Sequence, residues 1–181
     1  MKILRKSIYL IISILIIIPC KGFNQNTQQA DSTNKKLIDA AKEIMIASGT
    51  CALITLDDEG RARVRAMDPF SPEDNLTVWF GTNSNSRKVS QIKNDNRVTL
   101  YYLDSDASGY VMIHGMAELV DNQKEKEKRW KDEWEAFYPN NKETYLLIKV
   151  YPTWMEISSS PRGIYGDTIT WQPPIVVFDT K

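Results

Sequence analysis

The sequence is poor in the side chains that most often bind metals or form disulfides. Its 181 residues include one histidine, His114, and two cysteines, Cys20 and Cys51. Neither cysteine has another cysteine or a histidine at the spacing of a zinc motif, so no metal site is expected. Cys51 lies in an apolar, strand-like run, and we interpret it as a small buried hydrophobic side chain.

The chain also lacks a basic tract. Its 23 lysines and arginines equal its 23 aspartates and glutamates. Without the basic residues of the leader described next, 20 basic and 23 acidic residues remain, a net charge of about −3. A nucleic-acid backbone is bound through clustered, unopposed cations. We therefore expect no nucleic-acid partner.

No apolar run is long enough to span a bilayer, which takes about 20 residues. The longest, Ile8 to Ile18, follows a basic leader that contains Lys2, Arg5 and Lys6. A basic start followed by a short apolar run is typical of a signal peptide. We assign residues 1–20 to this signal and predict an exported protein, either periplasmic or in the cell envelope.

Cys20 comes directly after the apolar run, in the position of the lipidated cysteine of a lipoprotein. Because Pro19 precedes it, where such signals usually carry a small residue, simple cleavage to a soluble product stays open as an alternative. If Cys20 is lipidated, Cys51 is left without a disulfide partner. Residues 21–36 are rich in Asn, Gln, Thr and Ser, which predicts a flexible tether.

Hydrophobic periodicity predicts a mainly β fold with a few flanking helices, arranged as a small closed or partly closed barrel. An amphipathic helix is expected over Leu37 to Ala47, a short one over Arg87 to Asn94 and a long one over Asp121 to Tyr138. Strands are expected over Cys51 to Leu56, Ala62 to Met67, Leu76 to Phe80, Val98 to Leu103, Tyr110 to Leu119 and Tyr145 to Ile157.

The predicted long helix carries Trp130, Trp134 and Phe137 on one face. Its remaining positions alternate in charge, as on a solvated outer face. We interpret the aromatic face as packed against the core, with a dimer contact as the alternative.

Two cations stand where a helix dipole disfavours them. A strand ends in a Gly/Thr/Asn/Ser loop, Ser86 is a natural N-cap, and Arg87 and Lys88 occupy the first helical turn. The free N–H groups there and both side chains would hold a phosphate. The alternative is a solvated turn whose cations point into water.

A second concentration of positive charge lies at Arg61, Arg63 and Arg65. Strand alternation places these three arginines on one face. Alone they would suit a water-exposed sheet face. Together with Arg87 and Lys88, they favour one shared anionic ligand in an otherwise mildly acidic domain.

These motifs resemble the pyridoxamine 5'-phosphate oxidase-like flavin-binding split barrels, and within them the general stress protein branch. The resemblance rests on an Arg-rich strand ending in Met67, on Thr82-Asn83 with Ser86-Arg87-Lys88, and on Asn96-Arg97-Val98 opening the next strand. It covers residues 37–157, which we take as the flavin-binding domain, and leaves 158–181 as a C-terminal extension.

The resemblance implies a six-stranded split barrel that forms a homodimer and binds FMN in a groove between subunits; FAD, a deazaflavin and haem stay open as cofactors. It implies an FMN-dependent oxidoreductase of unknown substrate, or alternatively a non-catalytic flavin or haem binder that buffers cofactor during stress. A surface module that binds anionic glycans is a third possibility. Whether Arg63 or Arg65 faces the phosphate stays open. The cofactor-binding residues that it implies are Arg63, Val64, Arg65, Ala66, Met67, Gly81, Thr82, Ser86, Arg87, Lys88 and Tyr110.

The sequence departs from the true oxidases at two points. Tyr110 stands where those enzymes have a flavin-contacting glutamine, and Arg162-Gly163-Ile164 is the nearest sequence to their substrate-binding Arg-x-His element. Oxidation of pyridoxamine 5'-phosphate itself is therefore not expected, and no catalytic acid, base or nucleophile is assigned.

Overall fold

The computed structural model describes residues 23–136, 138 and 143–179. The predicted signal peptide, Cys20 and Phe137 lie outside the described residues. Seven antiparallel strands form one sheet in the order β2-β1-β4-β5-β6-β3, with β7 paired to β6. The strands are β1 (Cys51–Leu56), β2 (Ala62–Met67), β3 (Val78–Asn83), β4 (Arg97–Leu103), β5 (Gly109–Val120), β6 (Tyr145–Ser159) and β7 (Ile175–Val177).

The mainly β prediction is confirmed, with one strand more than the six expected. The additional strand, β7, comes from the C-terminal extension and pairs with β6 through Trp154, Met155 and Glu156. It is three residues long, too short for a periodic pattern to reveal it in the sequence.

The core lies on one face of the sheet. Leu53, Leu100, Ile113 and Met155 pair in one row across β1, β4, β5 and β6, and all four side chains are fully buried. Their alternation with exposed or half-buried neighbours follows the period of two that extended strands impose. Helix α1 (Phe23–Ser48) packs on this face through buried side chains that include Ala41, Ile44 and Met45.

Helix α1 begins 14 residues before the predicted start at Leu37, so residues 23–36, which we expected to be a flexible tether, are helical instead. The segment contains neither glycine nor proline, and its polar side chains do not prevent a helix. The helix ends before Gly49, whose positive φ of 65° suits a helix C-terminus. Among the described helices, none has both the length and the apolar character needed to cross a membrane.

The predicted long helix over Asp121 to Tyr138 is wrong. Helix α3 (Gln123–Lys128) is followed by a break at Arg129 and a 3-10 helix at Asp132–Ala136. The buried Tyr145 hydroxyl donates to the carbonyl oxygen of Arg129 at 2.7 Å, which ties down the chain where the helix stops. Tertiary packing thus overrides a strongly helical composition.

The interpretation of the aromatic residues as packed is confirmed for the two tryptophans that are described. The Trp130 ring lies edge-on to Tyr145 at 5.3 Å between centroids, and the Trp134 ring contacts Tyr145 at 5.6 Å and Phe70 at 5.7 Å. These rings form a second apolar cluster with Trp79 and Leu147.

Candidate anion-binding site

Helix α2 (Arg87–Asn94) begins where predicted, directly after β3. Ser86 occupies the N-cap position, but its side chain caps no amide of the helix. Its hydroxyl instead lies 3.2 Å from the hydroxyl of Thr82. The amino end of the helix therefore has no side-chain acceptor from its own N-cap, and an external anion can take that place.

Lys88 turns back from α2 toward β3. Its Nζ donates to Thr82 Oγ1 at 3.1 Å. Burial, with a smaller contribution from the positive charge of Arg65, lowers the pKa of Lys88 below its usual value. The ammonium group is therefore held in a half-buried position, and no carboxylate of the described residues pairs with it.

Arg65 reaches the same place from β2. Its Nη1 donates to Thr55 Oγ1 at 2.8 Å and its Nη2 donates to Gln91 Oε1 at 3.0 Å. Burial lowers the pKa of Arg65, and the charge of Arg87 adds to the effect. The half-buried Arg65 and Lys88, together with the exposed Arg87 at the start of α2, thus form one group of neighbouring like charges, which we call the cation cluster.

Arg63, which the sequence could not distinguish from Arg65, has a different environment. Its guanidinium pairs with Asp57 at 2.8 Å, in the turn between β1 and β2. Arg61 pairs with the same carboxylate at 3.0 Å. The geometry therefore selects Arg65 as the strand arginine of the cation cluster.

The position of the cluster follows from the strand order. Strands β2 and β3 are the two ends of the six-strand path, and α2 directly follows β3. The hydrogen bond from Arg65 to Gln91 joins these two ends. The cluster therefore lies at the seam where the sheet closes on itself.

The cluster differs electrostatically from the other arginines. Of the seven arginines in the described part of the chain, five form a salt bridge and only Arg65 and Arg87 do not. Lys88 likewise has no carboxylate partner among the described residues. Arg65 and Lys88 are half-buried and Arg87 is exposed, so the first two cations gain most from a bound anion that offsets their burial and mutual repulsion. The paired arginines are Arg61, Arg63, Arg97, Arg129 and Arg162.

Other residues that the sequence singled out lie apart from the cluster. Val64 and Ala66 alternate with Arg65 and face the opposite side of β2, where both are exposed. Met67 is half-buried and packs against the core.

Gly81 is required for packing. A Cβ there would lie 2.5 Å from the ring of Trp134 and 2.9 Å from that of Tyr145. The space where its side chain would be is filled by Trp134. The expectation that Gly81 lies along a cofactor stays a prediction.

Tyr110 lies on β5, opposite Ser158 of β6. Its hydroxyl donates to Glu156 Oε1 at 2.8 Å, and its ring stacks on Tyr101 with centroids 5.5 Å apart. Burial, followed by the neighbouring Glu156 carboxylate, raises the pKa of Tyr110 to about 12. The phenol therefore stays protonated at neutral pH.

Sequence reasoning missed Thr55 and Gln91. Gln91 follows Arg87 by four residues, so helical spacing places it on the face of α2 that the cluster occupies. Thr55 occupies the same face of β1 as Cys51 and Leu53 and is fully buried. The strand pattern alone assigns such a position to the core.

Comparison with solved structures supports the fold. A protein related to general stress protein 26 from Clostridium acetobutylicum shares 20% identity with this chain at a TM-score of 0.65, over 79% of this chain and 95% of that one. An FMN-binding protein from Nostoc punctiforme, related to pyridoxamine 5'-phosphate oxidase, shares 13% identity at a TM-score of 0.55, over 84% and 96%. A heme-binding protein from Mycobacterium smegmatis shares 11% at 0.58, over 77% and 57%.

At these identities the structural matches establish the split-barrel fold. A search of curated proteins finds no match. The family model described as "Pyridoxamine 5'-phosphate oxidase like" matches residues 32–162, which include the cation cluster and six of the seven strands. The chain therefore belongs to the pyridoxamine 5'-phosphate oxidase-like family.

Proposed function

We propose that the protein binds FMN through its phosphate and acts as an FMN-dependent oxidoreductase. The observation that supports this most directly is the cation cluster. Arg65 and Arg87 are the described arginines without a salt bridge, and the Lys88 ammonium lies beside the Thr82 hydroxyl, which is itself 3.2 Å from that of Ser86. The charge of Arg87 acts on Arg65, and that of Arg65 acts on Lys88.

The chemistry of the cluster fits a phosphate monoester. Near neutral pH such a group carries close to two negative charges and offers three acceptor oxygens. Arg65, Arg87 and Lys88 would donate charge-assisted hydrogen bonds, and Thr82 and Ser86 would add hydroxyl donors. When bound, a flavin supplies the electron-transfer chemistry, while these residues bind and orient its phosphate.

Haem is the second candidate. It is favoured by the structural similarity to the Mycobacterium smegmatis heme-binding protein, and its carboxylates are also anions. The three uncompensated charges favour FMN, because a phosphate dianion concentrates its charge on one group.

We further propose that the protein is a homodimer. The sheet face opposite the core exposes Val64 at one end of a row of residues and Val177 at the other, 65% and 69% accessible. The row crosses six strands through Ile54, Thr99, His114 and Trp154. Extended exposed apolar surfaces are usually covered by a partner. The exposed Tyr101 and Leu103 add apolar area to this face. The predicted signal peptide supports export as part of the same proposal.

The experiment is mass identification of the small molecule that co-purifies with the full chain, together with its stoichiometry and an oligomeric-state measurement. One FMN per subunit supports the proposal, and reduction of that flavin by a nicotinamide donor supports the oxidoreductase. A flavin that no donor reduces would favour the buffering function, and haem would favour the second candidate. A colourless protein that takes up neither cofactor would contradict both and leave glycan binding.

A further inference from the structure

The cation cluster has a feature that its proposed function does not require: within the described part of the chain, the side-chain oxygens that hold Arg65 in place are uncharged. Its two described side-chain partners are Thr55 Oγ1 and Gln91 Oε1, at 2.8 and 3.0 Å. The Thr55 hydroxyl donates to the same Gln91 oxygen at 2.6 Å. Three side chains from β1, β2 and α2 thus form a closed triangle of hydrogen bonds.

The same chain binds a neighbouring arginine differently. Arg63, two residues away on the same strand, is held by the carboxylate of Asp57. A glutamate in place of Gln91 would have the same length and would offer the same acceptor oxygen to Arg65 and Thr55. The glutamine therefore provides the geometry of an ion pair without its negative charge.

That neutrality has an electrostatic cost. Arg65 is half-buried, and its pKa is lowered by burial and by the charge of Arg87. A carboxylate at position 91 would relieve both effects, since a buried cation is stabilised by an opposite charge nearby. An arrangement that forgoes this stabilisation keeps the full positive charge of Arg65 available to a ligand.

We propose that Gln91 is a positioning residue that fixes the Arg65 guanidinium while leaving its charge uncompensated, so that the site selects a dianionic phosphate monoester. The inference rests on the proposed function. A glutamate here would orient Arg65 equally well but would lower the charge of the site by one, and a dianion would lose more binding free energy than a neutral ligand.

The test is Gln91→Glu in the full chain. The probes are FMN, riboflavin, which has the same ring system without the phosphate, and inorganic phosphate. We expect the Kd for FMN to rise at least tenfold, the Kd for riboflavin to stay within twofold, and the salt dependence of FMN binding to become weaker. The melting temperature of the ligand-free variant should equal or exceed that of the parent, because the introduced carboxylate would pair with Arg65. If Gln91 had a merely structural role, its replacement would not weaken FMN binding while the melting temperature stays equal or rises.

Gln123→Glu on α3 is the matched control, because it makes the same chemical change at an exposed position. It should leave the Kd for FMN within twofold of the parent.

The outcomes separate the two proposals. If the parent protein binds FMN and Gln91→Glu binds it equally well, the inference is overturned and the proposed function stands. A variant that melts below the parent or does not fold also overturns it, because the carboxylate then fails to pair with Arg65. If the parent does not bind FMN, the proposed function fails, and the inference is decided by inorganic phosphate, whose Kd must rise at least tenfold in Gln91→Glu for it to stand.

Discussion

Replacing Arg65 should remove one charge-assisted hydrogen bond from the phosphate of a bound flavin, whereas replacing Arg63 should not. The two arginines share a strand, a charge and a side-chain length, but Arg65 lies in the cation cluster and Arg63 pairs with Asp57. A hydrogen bond to a charged group contributes about 1.5–3 kcal/mol. Since about 1.4 kcal/mol corresponds to tenfold in affinity, Arg65→Ala should raise the Kd for FMN about 10- to 150-fold. Arg63→Ala should change it less than about twofold.

The loss should come from binding and not from unfolding. Truncation of Arg65 leaves Thr55 and Gln91 hydrogen-bonded to each other and removes a repulsive charge from beside Arg87 and Lys88. We therefore expect the free energy of unfolding of the ligand-free protein to change by no more than about 1 kcal/mol.

The assay is a flavin fluorescence titration of both variants with FMN and with riboflavin, beside thermal melts without ligand. Riboflavin affinity should be the same in both variants and the parent. Equal losses of FMN affinity in the two variants, or a larger loss in Arg63→Ala, would refute the selection of Arg65 over Arg63.

Further predictions concern α2 and the aromatic cluster. The double variant Arg87→Ala with Lys88→Ala should weaken FMN retention at least tenfold with the far-UV spectrum unchanged; undiminished flavin occupancy would contradict the site. The pKa of Lys88 is lowered in the free protein and would be raised by a bound anion, so FMN affinity should fall as the pH rises through the free-state value. A titration of Kd against pH tests this, and Lys88→Arg, which stays protonated, should lack the fall. Trp130→Ala should lower the free energy of unfolding by about 2–3 kcal/mol, since the ring packs on Trp134 and Tyr145; a chemical denaturation curve that overlays the parent would mean that this packing contributes nothing.

Local patterns predicted the elements of the site but not their mutual contacts. The bounds of β2 and α2 agree with the periodicity of Ala62 to Met67 and Arg87 to Asn94, because both segments are short and begin at a clear turn or cap. The choice of Arg65 over Arg63 depends on Asp57, whose carboxylate also accepts from the backbone of Glu59 and Arg61 in the turn. A sequence read strand by strand does not show which arginine that carboxylate neutralises.

Where long-range packing decides, sequence reasoning failed. Alternating charges and an aromatic stripe predict a helix over Asp121 to Tyr138. The chain instead breaks at Arg129, whose carbonyl oxygen accepts from Tyr145, and the ring of Trp134 packs against Gly81. Gln91 and Thr55 were missed for the same reason, because their role exists only when α2 lies against β1.

The seam has a consequence for the order of events in biosynthesis. Among the described strands β3 pairs with β6, and its only other sheet contact there is the bridge from Phe80 to Pro69, so α2 gains its full support beside Arg65 only once residues 145–159 have left the ribosome. A nascent chain that ends before β6 would hold all three cations but would lack the strand with which β3 pairs. Cofactor loading should therefore follow completion of the sheet. A bound phosphate would then stabilise the contact between α2 and β2 at the seam.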